Sequence, residues 1–299
     1  MNKRNLLVGI AFAIAATLIW SGNFIVARGV IKDIPPVTLA FYRWLVATII
    51  IIPLAWNTLG SQLRIIRHHL PYFLAASATG ISIFNTFVYI GAHYSEAINL
   101  ALLGTTSSPI MSVVLARIFH GERITKWTTT GMLLCVLGIL LLLSKGDLRN
   151  LQTFSFSKGD WWVLAAALSF AVYNTMIKKR PAQMDSLSFL AIIFFIGTFL
   201  LFPFYLYEYS TAGGFNLSLS NILFILYLGL GASVICFIFW NKAIAILGTG
   251  RTALFGNLIP VFSTIEAVLI LGEKIDWVHL VSFAIVISGL LLANLRKGT

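Results

Sequence analysis

Apolar runs of about twenty residues follow one another along the chain, and short polar breaks separate them. A run of that length, rising about 1.5 Å per residue as a helix, crosses a hydrocarbon core roughly 30 Å thick. The pattern predicts ten membrane helices, over residues 5–27, 36–56, 71–92, 97–119, 127–144, 160–180, 186–208, 221–243, 249–271 and 277–295. Glycine, proline, asparagine or charge marks each junction, as in KDIPP at 32–36, SKGDLRN at 144–150 and LGEKID at 271–276. The runs are continuous rather than alternating, which excludes a transmembrane β-barrel. The first run follows MNKRN, but it is too long for a signal-peptide core. Arg28 stands where a small-residue cleavage site would be, so this run reads as a helix.

The ten runs form two sets. Displacing the sequence against itself by 151 residues sets Gly80 on Gly231, Ala92 on Ala243, and Pro109 on Pro260. The same step sets Gly121-Glu122 on Gly272-Glu273, Ile124 on Ile275 and Gly138 on Gly289, without a gap. A step of 150 sets Trp20 on Phe170 and Pro53 on Pro203. The chain therefore divides into repeats 1–150 and 151–299 of five helices each. An odd number of spans turns the second copy upside down relative to the first. Inverted repeats of this kind give transporters two related conformations, one open to each side, around a site near the midplane. The expected fold class is an all-α polytopic membrane protein, ten transmembrane helices in two inverted five-helix repeats.

Composition agrees with the pattern: 59% of residues are hydrophobic and 10% charged, too few charges to cover a soluble domain, which carries about 25%. The net charge of +11 would suit a nucleic-acid partner, but its placement argues for topology instead. Fourteen of the 21 basic residues fall on the side that holds the N-terminus, among them Lys3, Arg4, Arg64, Arg67, Arg117, Arg123 and the Lys178-Lys179-Arg180 cluster. Six fall on the other side: Arg28, Lys32, Lys145, Arg149, Lys158 and Lys274. The positive-inside rule then places both termini in the cytoplasm and the chain in the inner (plasma) membrane. Cys135 and Cys236 lie inside helices, where apolar surroundings leave thiols inert, so neither has a disulfide or metal role. Trp56, Trp127, Trp161, Trp162 and Trp277 stand near helix ends, the depth that indole rings prefer.

The repeat also carries a resemblance. AHYSEAINLALLGTTSSPIMSVVLARIFHGERIT at 92–125, followed by Gly131 and Gly138, resembles the EamA repeat of the drug/metabolite transporter superfamily. AIAILGTGRTALFGNLIPVFSTIEAVLILGEKID at 243–276 resembles it equally well, and the likeness covers almost the whole chain. The resemblance implies ten helices and export of small metabolites such as amino acids. Within the superfamily the chain is similar to exporters of aromatic amino acids.

Three groups of residues are candidates for chemistry. The first is the pair of image prolines, Pro109 and Pro260, each expected about midway along its helix as a hinge. A proline removes one amide and clashes with the carbonyl four residues earlier, here Thr105 and Gly256. Beside them stand Thr105, Thr106, Ser107 and Ser108 in one copy and Asn257 in the other. These side chains either cover the freed carbonyl or contact substrate, and Thr105, Ser108 and Asn257 are the candidates. The second group is aromatic and amide: Trp20, Tyr42, Tyr89, Tyr173 and Trp240, with Asn23 and Asn174. Such rings either pack between helices or lipid, or line a pocket for flat or apolar solutes. The third is charged. Arg43, roughly 10 Å into its helix, either binds a carboxylate or snorkels outward. Glu266 is an intramembrane carboxylate without an image, since Leu115 aligns with it, which makes it a coupling candidate. His93, at a helix end, either carries protons or meets headgroups. Glu122 and Glu273 read as structural, each pairing with the basic residue beside it to hold a turn.

No GxxxxGK[ST], HExxH or GxSxG string is present, so the reading contains no enzyme, cofactor or metal. The expected partners are a small-molecule substrate, the lipid bilayer and a coupling proton or exchanged solute, with no nucleic acid. The expected function is a secondary transporter that exports amino acids, aromatic or otherwise amphipathic, by alternating access. Efflux of drugs, nucleosides or other metabolites is the alternative within the transporter class, and a membrane scaffold or intramembrane enzyme is the alternative outside it.

Overall fold

The computed structural model describes residues 3–121, 124–144, 146–147, 157–177, 179–181, 183–247, 252 and 255–295. Ten helices account for nearly all of them. The first half contains α1 (Lys3–Gly29), α2 (Pro36–His68), α3 (Leu70–Ala92), α4 (Ala97–His120) and α5 (Lys126–Leu143). The second contains α6 (Lys158–Ile177), α7 (Ser186–Ala212), α8 (Leu219–Leu247), α9 (Ile259–Leu271) and α10 (Trp277–Leu295). Every expected span has its helix, and there is no strand among the described residues. By length and composition six of them, α1 to α4, α7 and α8, suffice to cross a membrane. Helices α2 and α7 run well past their expected ends. The apolar pattern measures only the stretch a helix keeps in hydrocarbon, and beyond Trp56 α2 continues with mostly exposed side chains.

The helix ends follow from the junction residues. Gly121 and Gly272 take φ of 66° and 67°, the left-handed conformation that closes a helix at little steric cost. Thr125 Oγ1 accepts from the Thr128 amide at 3.2 Å to start α5. Ser157 and Asp160 form a reciprocal box at the start of α6: each backbone amide donates to the other's side chain, at 2.9 and 3.0 Å. The turn at Glu273 differs from expectation. Its two carboxylate oxygens accept from the amides of Ala97 at 2.8 Å and Ile98 at 3.2 Å, so it caps α4 of the other half. An open helix N-terminus offers unpaired amides and the positive end of the dipole, and it outbids a solvent-exposed lysine pair. Glu122 and Arg123, the image turn, lie outside the described residues.

Packing shows the duplication in three dimensions. Helix α1 lies on α8 as α6 lies on α3, and α4 lies on α6 as α9 lies on α1. Helix α2 lies on α8 as α7 lies on α3, and three further pairs are self-images: α2 with α7, α5 with α10, and α4 with α9. Exchanging the halves returns the same set, which is the signature of a pseudo-two-fold axis. On such an axis a residue meets its own image. Thr48 Oγ1 lies 3.0 Å from Thr198 Oγ1, the Trp44 ring 4.8 Å from that of Phe194, and Cys135 Sγ donates to the Val286 carbonyl at 3.6 Å. Glycine lets α5 and α10 cross there. A Cβ on Gly138 would stand 3.1 Å from the carbonyl oxygen of Ser282, and one on Gly289 only 2.6 Å from that of Gly131, the image of Ser282.

Candidate functional site

Both α3 and α8 widen into π-helical turns at image positions, Ala78–Ile83 around Gly80 and Tyr227–Ile235 around Gly231. Such turns displace side chains from the regular α register and recur at functional sites. In α8 the π turn presents Ser233, whose hydroxyl donates to the Leu228 carbonyl at 2.9 Å and accepts from Arg43 Nε at 2.9 Å.

Arg43 is the centre of the site. Its side chain is 4% exposed, deep between helices, so it does not snorkel. Four neutral oxygens from three other helices hold it. Nη1 donates to Asn23 Oδ1, to Asn85 Oδ1 at 2.8 Å and to Tyr89 Oη at 2.8 Å, and Tyr89 passes its own proton to Asn23 Oδ1 at 3.0 Å. The guanidinium carbon lies 4.9 Å from the centre of the Trp44 ring. A buried cation held only by neutral acceptors keeps an unmatched charge, and desolvating such an ion costs several kcal/mol. Among the described residues no acceptor meets Nη2. The cluster therefore has a free donor edge and a free charge, the two things a carboxylate supplies against arginine.

Two further features stand near this centre. Trp20 donates from Nε1 to the Ala232 carbonyl at 2.9 Å, which fixes its ring against Trp240 at 5.1 Å and Phe237 at 5.8 Å. Glu266 on α9 accepts from Ser21 Oγ at 2.8 Å through Oε1, while Oε2 is buried without a partner. Ser21 and Asn23 both belong to α1, so one helix touches both ionisable groups.

The other candidates sit elsewhere. Tyr42 turns away from Arg43, its hydroxyl 3.2 Å from that of Tyr205 at the α2–α7 contact. Tyr173 is wedged against α3, where a Cβ on Gly80 would come within 2.4 Å of its ring. Asn174 is half-buried on α6, and His93 is exposed at the C-terminal cap of α3 beside Tyr94. Partial desolvation, then the neighbouring Arg28 charge, lower the His93 pKa, with the Glu208 charge opposing them. Thr105 donates back to the Ala101 carbonyl of its own helix at 2.6 Å. Thr106 Oγ1 and Ser108 Oγ, by contrast, are buried without partners, so Thr106 is the hydroxyl that the candidate set omitted. Pro109 lies inside an unbroken α4 and is exposed. Pro260 follows a local change of winding: Thr252 and Phe255 are helical, Gly256–Leu258 form a 3₁₀ turn, and the proline stands in the first turn of α9, where its missing amide costs little. The side chain of Asn257 lies outside the described residues. Sequence reasoning also missed Ser21 and Ser233. Only Ser233 had a signal, since its image Ser82 follows Gly80 at the same spacing.

The EamA-like transporter family matches residues 7–144 and 157–295, one match for each half. The chain belongs to this family. Curated relatives of this EamA-family transporter are similar along most of their length. An uncharacterized transporter of Bacillus subtilis, YetK, is 24% identical over 95% of this chain and 86% of its own. A probable amino-acid metabolite efflux pump of Escherichia coli is 26% identical over 93% of this chain and 92% of its own. A probable terminal-alkyne amino-acid exporter of Streptantibioticus cattleyicolor is 29% identical over 76% of this chain and 74% of its own. One solved crystal structure superposes on the transporter with a TM-score of 0.67, at 19% identity, over 99% of this chain and 98% of the other. That likeness supports the ten-helix fold.

Proposed function

We propose that this transporter exports amino acids or closely related carboxylate metabolites, with Arg43 as the carboxylate anchor. The single observation that carries the reading is the free Nη2 edge of a buried guanidinium whose other partners are all neutral. Substrate carboxylate would complete the cluster, and the Trp20–Trp240 pair gives an apolar or aromatic side chain a surface to pack on. The names of two of the relatives, a probable amino-acid metabolite efflux pump and a probable terminal-alkyne amino-acid exporter, agree with this reading. The two repeats, 1–150 and 151–299, would rock about the α2–α7 and α5–α10 crossings and open the centre to each side in turn. With both termini in the cytoplasm, the ends of α1, α3, α7 and α9 that carry Gly29, Ala92, Ala212 and Leu271 face outward.

The test is uptake of labelled L-phenylalanine into proteoliposomes, with phenethylamine and 3-phenylpropionate as competitors. Competition by the acid but not the amine is the expected result. No flux of any amino acid through monodisperse, folded protein would overturn the reading.

A further inference from the structure

We propose that Glu266 carries one proton across the membrane in exchange for each substrate molecule. This rests on the transport reading above, although half of its test does not. Glu266 lies six residues before Gly272, about 9 Å along the helix from the end of α9, and its image position holds Leu115. Duplication therefore supplied the helix but not the acid.

Its surroundings argue for a proton rather than a larger cation. Oε1 has the Ser21 hydroxyl at 2.8 Å, and Oε2 is shut off from solvent with no donor among the described residues. Helix α9 packs on α1 and α4. The ionisable side chains of α1 are Lys3, Arg4 and Arg28, all near its ends, and α4 has none before Arg117. On α8, Tyr227 comes within electrostatic reach of both Glu266 and Arg43, but its hydroxyl donates to the Ile19 carbonyl at 2.6 Å. Among the described residues no cation thus pairs with the acid, and an ionised carboxylate placed so would bear a desolvation penalty of several kcal/mol. A buried oxygen with no partner among the described residues suits a proton better than a hydrated cation. The conformation described holds a carboxylic acid.

Helix α1 links the acid to the substrate site, because Ser21 touches Glu266 and Asn23 touches Arg43 two residues further on. A movement of α1 that admits a carboxylate at Arg43 also shifts Ser21 and opens Oε2 to water. The acid's O–H bond then breaks, the proton passes to water on the cytoplasmic side, and Ser21 stays with the carboxylate. Reprotonation from the outer side restores the sealed acid and completes the exchange.

Two measurements on the full chain test this. The first is the infrared band of protonated carboxyl groups in lipid nanodiscs at neutral pH, without substrate. Wild type should show a component that Glu266→Gln lacks. The second is L-phenylalanine accumulation in proteoliposomes with the potential clamped at zero and a one-unit pH gradient. One proton per substrate accumulates phenylalanine about tenfold, because one pH unit is a factor of ten in free-energy terms. Glu266→Gln should bring that ratio to about one, and Glu266→Asp, which keeps the titrating group, should restore most of it. The proposal is overturned if the variant's infrared spectrum matches wild type, or if Glu266→Gln still accumulates tenfold. If wild type moves no phenylalanine at all, the amino-acid reading falls, and the infrared comparison still decides whether Glu266 holds the proton.

Discussion

Along α2 and α7 the halves meet as images, Thr48 against Thr198 and Trp44 against Phe194. Immediately beside Trp44 the likeness stops: Arg43 has Ile193 as its image, and its partner Asn85 has Cys236. Both image residues are buried, and neither carries a charge. Glu266 likewise has the half-buried, uncharged Leu115 as its image. The difference separates two demands on one fold. On the proposed mechanism the α2–α7 crossing is a pivot that works the same way in both conformations, so it keeps the symmetry of the duplication. A single substrate needs a single charge of each kind, and a second buried arginine or glutamate would cost its desolvation again with nothing to bind.

The largest effect should come from the asymmetric centre. Arg43→Gln removes a charged donor worth about 1.5–3 kcal/mol in a hydrogen bond. It should therefore raise the KM for L-phenylalanine by about tenfold or more and weaken competition by 3-phenylpropionate to match. Circular dichroism and thermal melting should show an intact fold, since the remaining Asn23, Asn85, Tyr89 and Ser233 can bond one another. An unchanged KM with unchanged competition by the acid would reduce Arg43 to a packing role.

The symmetric crossing offers a finer test. At α5 and α10 the two glycines are images, but they are not equally crowded. An alanine methyl at Gly289 would press on a backbone carbonyl at 2.6 Å, which cannot rotate away. At Gly138 the nearest atom, also at 2.6 Å, is the end of the Val286 side chain, with the Ser282 carbonyl at 3.1 Å. Overpacking of this kind costs about 1–3 kcal/mol. Gly289→Ala should lie at the upper end of that range and Gly138→Ala at the lower, read as the difference between their melting temperatures in the same detergent. Equal shifts would mean that the crossing adjusts as a unit.

How much of this could be read from the chain depended on what each residue answers to. The ten spans and the repeat were legible because each answers to its local environment or to ancestry. Arg43, Asn23 and Tyr89 were named separately, and their meeting was not visible, because it depends on how α1, α2 and α3 pack. Glu273 was misread for a related reason. Its neighbour in sequence is a lysine, but its partners are the amides of α4 in the other half. The π turns of α3 and α8 leave no mark in apolar periodicity, so Ser233 could be found only as the image of Ser82. Pro260 looked like Pro109 in sequence, and only the structure shows that a 3₁₀ turn precedes the former while α4 runs unbroken through the latter.

The smallest difference between the halves lies at the starts of α2 and α7. Pro35 and Asp185 are images, and each precedes its helix. Asp185 caps α7 locally, with Oδ1 accepting from the amides of Leu187 at 2.9 Å and Ser188 at 3.0 Å. Pro35 has no side-chain cap, and Glu208 of α7 reaches across to the amides of Val37 at 3.1 Å and Thr38 at 2.6 Å instead. Losing either cap should cost about 1 kcal/mol. Asp185 carries a pH signature. Burial alone would raise its carboxyl pKa, but the hydrogen bonds from Ser188 and Leu187 outweigh burial and hold it below the ordinary value. A group whose folded pKa is depressed stabilises the fold above its unfolded pKa, about 3.9 for aspartate, and loses that contribution as pH falls through the folded value. The melting-temperature gap between wild type and Asp185→Ala should therefore be full at pH 7 and shrink as the pH falls below about 4. A gap that stays constant to the lowest pH tolerated would show that the aspartate acts by shape, as a neutral cap would, and that its charge contributes nothing to starting α7.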